Sequence, residues 1–236
     1  MIDPRLMDMV IRLRGRGIFD VRVLRGVEQV PRRHFVGEGF WEKAYDERAL
    51  PIACGQSISE PLTIAMMTQA LEAGPEHKIL EIGTGSGYHT GILSRIGRRV
   101  YSIERYHQLL IDAEDRFQKL SLTNIVTRHG DGRYGWKGQA PFDRIIATCA
   151  LKSVPKALLE QLSDGGILIA VVKGELIRFS KKDGAVSQKT ILPLEIPLVE
   201  SGAADGRQHF SVKGRRVSGA DGHVGEGEGE VAGVAD

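Results

Sequence analysis

The segment Glu81-Ile-Gly-Thr-Gly-Ser-Gly87 concentrates the residues most able to do chemistry. It follows the short apolar run Lys78-Ile-Leu-Glu-Ile82 and precedes a helical pattern reaching about Ile96. Glycines at a strand-to-helix turn let a ligand approach the backbone, and the helix behind them begins with free N–H groups. A dinucleotide fingerprint needs Gly-x-Gly-x-x-Gly, which seats pyrophosphate on the helix dipole. Here Gly83, Gly85 and Gly87 are spaced Gly-x-Gly-x-Gly around Ser86, and Glu81 precedes the first glycine by two positions. A carboxylate there disfavours pyrophosphate and suits a cation. S-adenosylmethionine (SAM) brings a sulfonium and an α-ammonium; a turn that binds nothing is the alternative.

Two further acids follow later strands. Glu104 ends the strand predicted at Arg99-Val-Tyr-Ser-Ile103, where acidic residues of nucleotide-binding sheets accept from ribose hydroxyls, whether of NAD or of SAM. Asp131, between Gly130 and Gly132, is placed either to accept from an adenine amino group or simply to make an Asp-Gly turn.

The elements that must position these groups alternate. After Lys78–Ile82 come strands at 99–103, 124–128, 143–148 and 167–172, with helices to about Leu120 and over Pro155–Leu162. Such a βαβα series predicts an α/β fold, a doubly wound, mostly parallel sheet with helices on both faces. Beyond Gly174, strands at 175–180, 186–190 and 194–199 lack intervening helices and predict antiparallel strands at the C-terminal end. Upstream, Leu6, Met9, Val10 and Leu13 recur at helical spacing. A second helix starts at Asp20 as N-cap, buries Val23, Leu24, Val27 and Val30, and stops at Pro31. Residues 1–45 therefore read as an N-terminal helical cap, 46–75 as an active-site loop and helix, and 76–200 as the ligand-binding sheet. Residues 201–236 hold nine of the 29 glycines and the run Gly225-Glu-Gly-Glu-Gly-Glu230. Composition of that kind predicts a disordered tail.

The bulk composition narrows the function classes. The formal net charge is +2, with 26% charged residues. That balance gives no general attraction to nucleic acid or anionic membrane. The most basic stretch sets eight arginines, Arg5 to Arg33, against Asp8, Asp20 and Glu28, and reads as a solvated helical face. Cys54 and Cys149 form no CxxC pair and suggest neither disulfide nor zinc; Cys149, in an apolar run, reads as a buried small residue. No apolar run approaches ~20 residues and no secretory segment opens the chain, so a cytoplasmic protein without a metal is expected.

Several segments together resemble the protein-L-isoaspartate O-methyltransferase family across residues 5–200. They are Pro31-Arg-Arg-His-Phe35, Ala44-Tyr45, Leu50-Pro-Ile52, Gly55-Gln-Ser-Ile-Ser59 with Pro61, Leu80 to Tyr88, Gly130-Asp-Gly132 and Pro141-Phe-Asp143. The glycine motif is shared by many methyltransferases, whereas Gly-Gln-Ser-Ile-Ser-x-Pro is far more specific. The resemblance implies a Rossmann-like SAM-dependent methyltransferase fold, Ser59 as active-site residue, and Ser57 and Ile58 bordering the cofactor. It implies as substrates proteins and peptides with isoaspartyl residues, without nucleic acid or membrane; a monomer is expected. On residue chemistry alone Ser59 is either an N-cap of the helix near Pro61 or a hydroxyl that orients the acceptor, since no Gly-x-Ser-x-Gly elbow surrounds it. The chain departs from the family pattern at Glu60, at Cys149-Ala-Leu-Lys-Ser-Val-Pro155 and at Val172-Lys-Gly174, all in regions that touch substrate in the family. The alternatives are a methyltransferase of this fold acting on another carboxylate or small molecule, and a non-catalytic reader of damaged protein.

Overall fold

The computed structural model describes residues 3–198. The N-terminal part is helical because its apolar stripes have partners and its ends have caps. Helices α1 (Pro4–Gly15) and α2 (Val21–Gln29) begin at Asp3 and Asp20. Each aspartate accepts the N–H of the arginine two positions on, an arrangement worth about 1 kcal/mol. Their buried faces are Leu6, Met9, Val10 and Leu13, then Val23, Leu24 and Val27. Two 3-10 turns, Arg32–Phe35 and Glu38–Lys43, lead to the short antiparallel pair β1 (Leu50–Pro51) and β2 (Ser57–Ile58), followed by α3 (Pro61–Leu71).

The main sheet is built from β3 (Lys78–Ile82), β4 (Arg99–Glu104), β5 (Ile125–His129), β6 (Phe142–Leu151), β7 (Leu162–Val172), β8 (Glu175–Lys182) and β9 (Ala185–Pro193). Helices α4 (Tyr88–Ile96), α5 (His107–Lys119) and α6 (Lys156–Glu160) connect its parallel strands. The order is β5-β4-β3-β6-β7-β8-β9; the first five strands are parallel and the last two antiparallel. Strand β3 is the point where the order reverses, so the crevice beyond its carboxyl end is where such a sheet binds ligands. Alternate residues of the central strands enter two cores. Ile79, Ile146, Ile169 and Val171 pack with the cap, α3 and α4. Leu80, Ile145, Leu168 and Ala170 pack with Phe142, Leu158 of α6 and Trp136. Burial on both faces explains why these strands read as continuous apolar runs.

Three expectations need correction. Helix α6 stops at Glu160, and β7 already starts at Leu162. Gly165 and Gly166 do not precede that strand; they form an irregularity within it, Gly165 taking φ 75 as the register with β6 shifts. Secondly, 194–198 is not a strand but makes one bridge, Ala150 to Leu198, with the Ala150 N–H donating to the Pro197 carbonyl at 2.7 Å. Pro193 and Pro197 cannot donate to a ladder. Thirdly, Ser59 is not the N-cap of α3, as described below. The departure at Val172-Lys-Gly174 is a two-residue hairpin turn, with Lys173 at φ 53 and Gly174 at φ 80, matching the twist of the strands it joins. Among the described residues no helix is long and apolar enough to cross a membrane. The tail expected over 201–236 lies outside the described residues.

Candidate active site

At the carboxyl end of β3 the chain turns through Gly83, Gly85 and Gly87 with φ of 96, 55 and 89, a left-handed path that residues with a Cβ rarely take. Space compounds the demand at two of them. A Cβ on Gly83 would lie 2.6 Å from Thr148 Oγ1, and one on Gly87 would lie 2.7 Å from the Phe117 ring. Neighbouring strands tie the turn down. Gly83 N–H donates to the Ile103 carbonyl at 2.8 Å, and the Thr148 hydroxyl donates to the carbonyls of Ile82 and Gly83 at 3.0 and 2.7 Å. Glu104, 4% exposed, accepts from Gly85 N–H on one oxygen (2.8 Å) and from Tyr106 N–H on the other (3.0 Å).

Glu81 sits behind this loop, fully buried. One carboxyl oxygen accepts from the hydroxyls of Thr90 (2.5 Å) and Ser102 (2.6 Å), while the other has no partner. Burial pushes its pKa up to about 8, against the pull of those two hydroxyls; the charge of Glu104 adds to the rise. Gly132 presses against Ile82, where a Cβ would come within 2.3 Å of Cγ2. The Asp131 carboxylate caps that turn, accepting from the Arg133 N–H at 2.9 Å and from its guanidinium at 2.7 Å.

The opposite wall comes from residues 50–60. The Leu50↔Ile58 and Pro51↔Ser57 pairs fix β2, with Ser57 exposed and Ile58 buried in the core. Helix α3 is capped by Glu60 (φ −60, ψ 151), and Pro61 stands at its start. Proline favours the first helical position and holds the residue before it in extended backbone, which makes residue 60 the cap and leaves Ser59 one place outside. Among the described residues the Ser59 hydroxyl has no hydrogen-bond partner, whereas Glu60 accepts from the Thr63 hydroxyl at 3.0 Å. Ile52 crosses to the glycine wall, its Cδ1 lying 3.8 Å from where a Gly85 Cβ would be.

Between the walls lies a cavity with about 710 Å³ of empty space, its open mouth included. Of the residues predicted from sequence, Ser57, Ser59, Gly83, Gly85, Glu104 and Gly132 line it. Ile58, Glu81, Ser86, Gly87 and Asp131 stand behind the lining. Sequence reasoning missed Arg105, Tyr106, Thr148, Cys149, Pro197 and Leu198, which also line it. Thr148 and Cys149 follow the last β3–β6 pair, Ile82 with Ala147, beside the reversal point and were findable by that rule; Pro197 and Leu198 carry no local signal. Cys149 is half-buried at the cavity rather than sequestered, and desolvation pushes its thiol up to about 12, so it presents a neutral surface. Among the described residues no group of His, Cys, Asp and Glu is arranged to hold a metal. The arrangement offers a glycine cradle with the Glu104 carboxyl group in its wall, across from Ser59, whose hydroxyl is a group able to orient an anion.

Comparison with known proteins gives consistent results. The family model described as protein-L-isoaspartate(D-aspartate) O-methyltransferase matches residues 5–202. A protein-L-isoaspartate O-methyltransferase of Maricaulis maris is 49% identical over 206 residues, covering 85% of this chain and 97% of that protein. Its counterpart from Paramagnetospirillum magneticum is 45% identical over 205 residues, covering 84% and 96%. Two solved structures share the fold. One, a protein-L-isoaspartate O-methyltransferase, has a TM-score of 0.75 at 23% identity and covers 83% of this chain, which spans 66% of that one. The other, a Plasmodium falciparum protein solved with S-adenosyl-L-homocysteine, has a TM-score of 0.72 at 21% identity and covers 82% of this chain and 97% of its own.

Proposed function

The chain belongs to the protein-L-isoaspartate O-methyltransferase family, and we propose that it transfers a methyl group from SAM to the free carboxylate of L-isoaspartyl residues in damaged proteins, initiating their repair. The observation that carries this reading is one cavity bounded by Gly83, Gly85 and Glu104 on one side and by Ser59 on the other.

The cofactor wall fits SAM. Each Glu104 oxygen holds one backbone N–H and keeps lone-pair capacity for a ribose hydroxyl. Gly83 and Gly85 admit the ligand to the backbone, and Glu104 sets a carboxyl group in the same wall. From behind, Gly87 and Ser86 start α4, Asp131 shapes the turn that brings Gly132 to the cavity, and Ile58 seats β2 so that Ser57 borders the cofactor. When bound, SAM supplies an electrophilic methyl group on a sulfonium leaving group.

The acceptor needs no general base. A carboxyl group of pKa about 4 is already ionised at neutral pH. What the protein must supply is alignment and exclusion of water. Ser59 donates its hydroxyl to the carboxylate, and Ile82, Ile103, Leu109 and Leu198 keep the cavity apolar around it. The same reading makes the enzyme a cytoplasmic monomer that engages neither nucleic acid nor membrane, in keeping with its formal charge of +2.

A methyl-transfer assay comparing an isoaspartyl peptide with its normal aspartyl twin tests this function. The expected result is methylation of the isoaspartyl peptide alone. SAM binding without any methylation of that peptide would reassign the chain to another carboxylate or a small-molecule acceptor.

A further inference from the structure

Among the described residues Arg32 is the largest fully buried side chain, at 0% exposure. Among the described residues it has no carboxylate within ion-pair distance; the nearby acids Asp46 and Glu60 act on it only through their fields. A buried cation without a counter-ion is costly to keep unless its donors are satisfied. Arg32 gives its two terminal nitrogens to the main chain of one region, while its buried Nε has no partner. Nη1 donates to the Ala44 carbonyl at 2.7 Å, and Nη2 donates to the Ser59 carbonyl at 2.8 Å and to the Arg48 carbonyl at 3.2 Å. The Ile58 carbonyl stands 3.5 Å from the same nitrogen, and the Tyr88 ring lies 5.9 Å from the guanidinium carbon. Its neighbour Arg33 does none of this, stacking on Trp41 at the surface.

Ser59 needs such an anchor. It lies beyond the last β1–β2 pair and before the first residue of α3, so neither element fixes it. Ser59 lines the cavity, and its carbonyl is held by Arg32. We propose that Arg32 is the positioning residue of the acceptor site: by gripping the Ser59 carbonyl it sets where the Ser59 hydroxyl points, and so where the substrate carboxylate is held. The identity of that carboxylate rests on the function proposed above; the tether itself does not. Lysine is a poor substitute, because one ammonium cannot reproduce the planar fork that reaches Ala44, Arg48 and Ser59 together.

The test compares wild type with Arg32→Lys, and with Arg32→Gln should the lysine variant fail to fold. Three readouts are taken: amide hydrogen exchange, calorimetric affinity for S-adenosylhomocysteine, and steady-state kinetics with an isoaspartyl peptide. Exchange over residues 56–60 should accelerate at least tenfold while 78–88 stays protected. Affinity for S-adenosylhomocysteine and the KM for SAM should stay within threefold, and kcat/KM for the peptide should fall at least tenfold. Wild-type exchange over 56–60 would overturn the proposal. So would unchanged peptide kinetics, or cofactor affinity falling in step with activity. If wild type methylates no isoaspartyl peptide, the proposed function has failed, and exchange with cofactor affinity still decides the tether: loosening confined to 56–60 supports it, and its absence refutes it.

Discussion

The two walls of the cavity hold their polar groups by opposite means. On the cofactor wall the backbone path does the fixing, through left-handed glycines and bonds from adjacent strands. On the acceptor wall a side chain from another segment does it, the Arg32 guanidinium gripping a carbonyl 27 residues along the chain. The first kind of wall is sensitive where a Cβ has no room. The second is sensitive at a position that never touches the ligand. Substitutions that injure one wall and spare the other therefore probe the contrast directly.

The largest effect is expected at the glycines, and it should be graded. Gly87→Ala combines a left-handed φ, about 1–2 kcal/mol, with a clash against Phe117 and Ala113, about 1–3 kcal/mol. Gly85→Ala meets nothing closer than 3.8 Å and should lose only the roughly 1–2 kcal/mol of its backbone conformation. Urea unfolding of both variants checks the order. Equal losses would mean that backbone path, not space, governs this wall throughout.

Two buried groups, Glu81 behind the glycine turn and His89 between α4 and α3, pull stability in opposite directions with pH. Glu81 is raised from 4.5 to about 8 by burial. Over that interval the folded protein keeps a proton that the unfolded chain releases, so its contribution is full below 4.5 and is lost as pH rises through 8. His89 of α4, bonded to Thr68 of α3 at 2.8 Å, is lowered from 6.5 to about 3 by burial. There the unfolded chain takes up a proton that the fold refuses, so stability falls as pH drops from 6.5 toward 3. Unfolding followed from pH 4 to 9 should show Glu81→Gln removing the alkaline slope, which cannot exceed about 1.4 kcal/mol per pH unit for one proton. His89→Gln should flatten the acid side. A Glu81→Gln curve parallel to wild type above pH 6.5 would mean that this carboxyl is ionised in the fold.

A smaller and more specific pair separates binding from turnover. In Glu104→Gln one oxygen becomes an amide that cannot accept from either Gly85 N–H or Tyr106 N–H. SAM affinity should drop at least tenfold, with little change in KM for the peptide. Ser59→Ala removes the proposed hydrogen bond to the acceptor carboxylate, about 1.5–3 kcal/mol for a charged partner, and should lower peptide kcat/KM by ~10–100-fold with SAM affinity within twofold. Both variants moving both affinities together would collapse the two walls into one.

This asymmetry is also why one wall was legible in the sequence and the other was not. A backbone-built site writes itself locally: the glycine spacing, Glu104 at a strand end and the strand–helix alternation are all visible over short windows, and β3, β4 and β5 lie within a residue or so of where the pattern puts them. The acceptor wall has no such signature. Ser59 came from a resemblance, and its reading as an N-cap missed by one residue because Pro61 sets the cap at Glu60. That Arg32 ties Ala44, Arg48 and Ser59 is a tertiary fact, and Arg32 and Arg33 look alike in the sequence. Pro197 and Leu198 reach the cavity through one bridge to Ala150, which no periodicity announces.

The least effect is expected at Glu60, although it is the departure nearest to Ser59. A carboxylate 5–6 Å from the acceptor would cost about 3 kcal/mol at an effective dielectric near 20, too much for an efficient enzyme of this kind. The structure turns it elsewhere: Glu60 accepts from the Thr63 hydroxyl at 3.0 Å in the first turn of α3, outside the cavity lining. A negative charge at a helix start is favourable by about 0.3–1 kcal/mol, and the buried Arg32 adds to that. Glutamine at this position keeps an oxygen for Thr63 and loses only the charge. Glu60→Gln should therefore lower the melting temperature slightly and change the KM for an isoaspartyl peptide less than threefold. A tenfold or greater improvement in that KM would show that Glu60 faces the acceptor, and the acceptor wall would then be selecting against the anion it is proposed to receive.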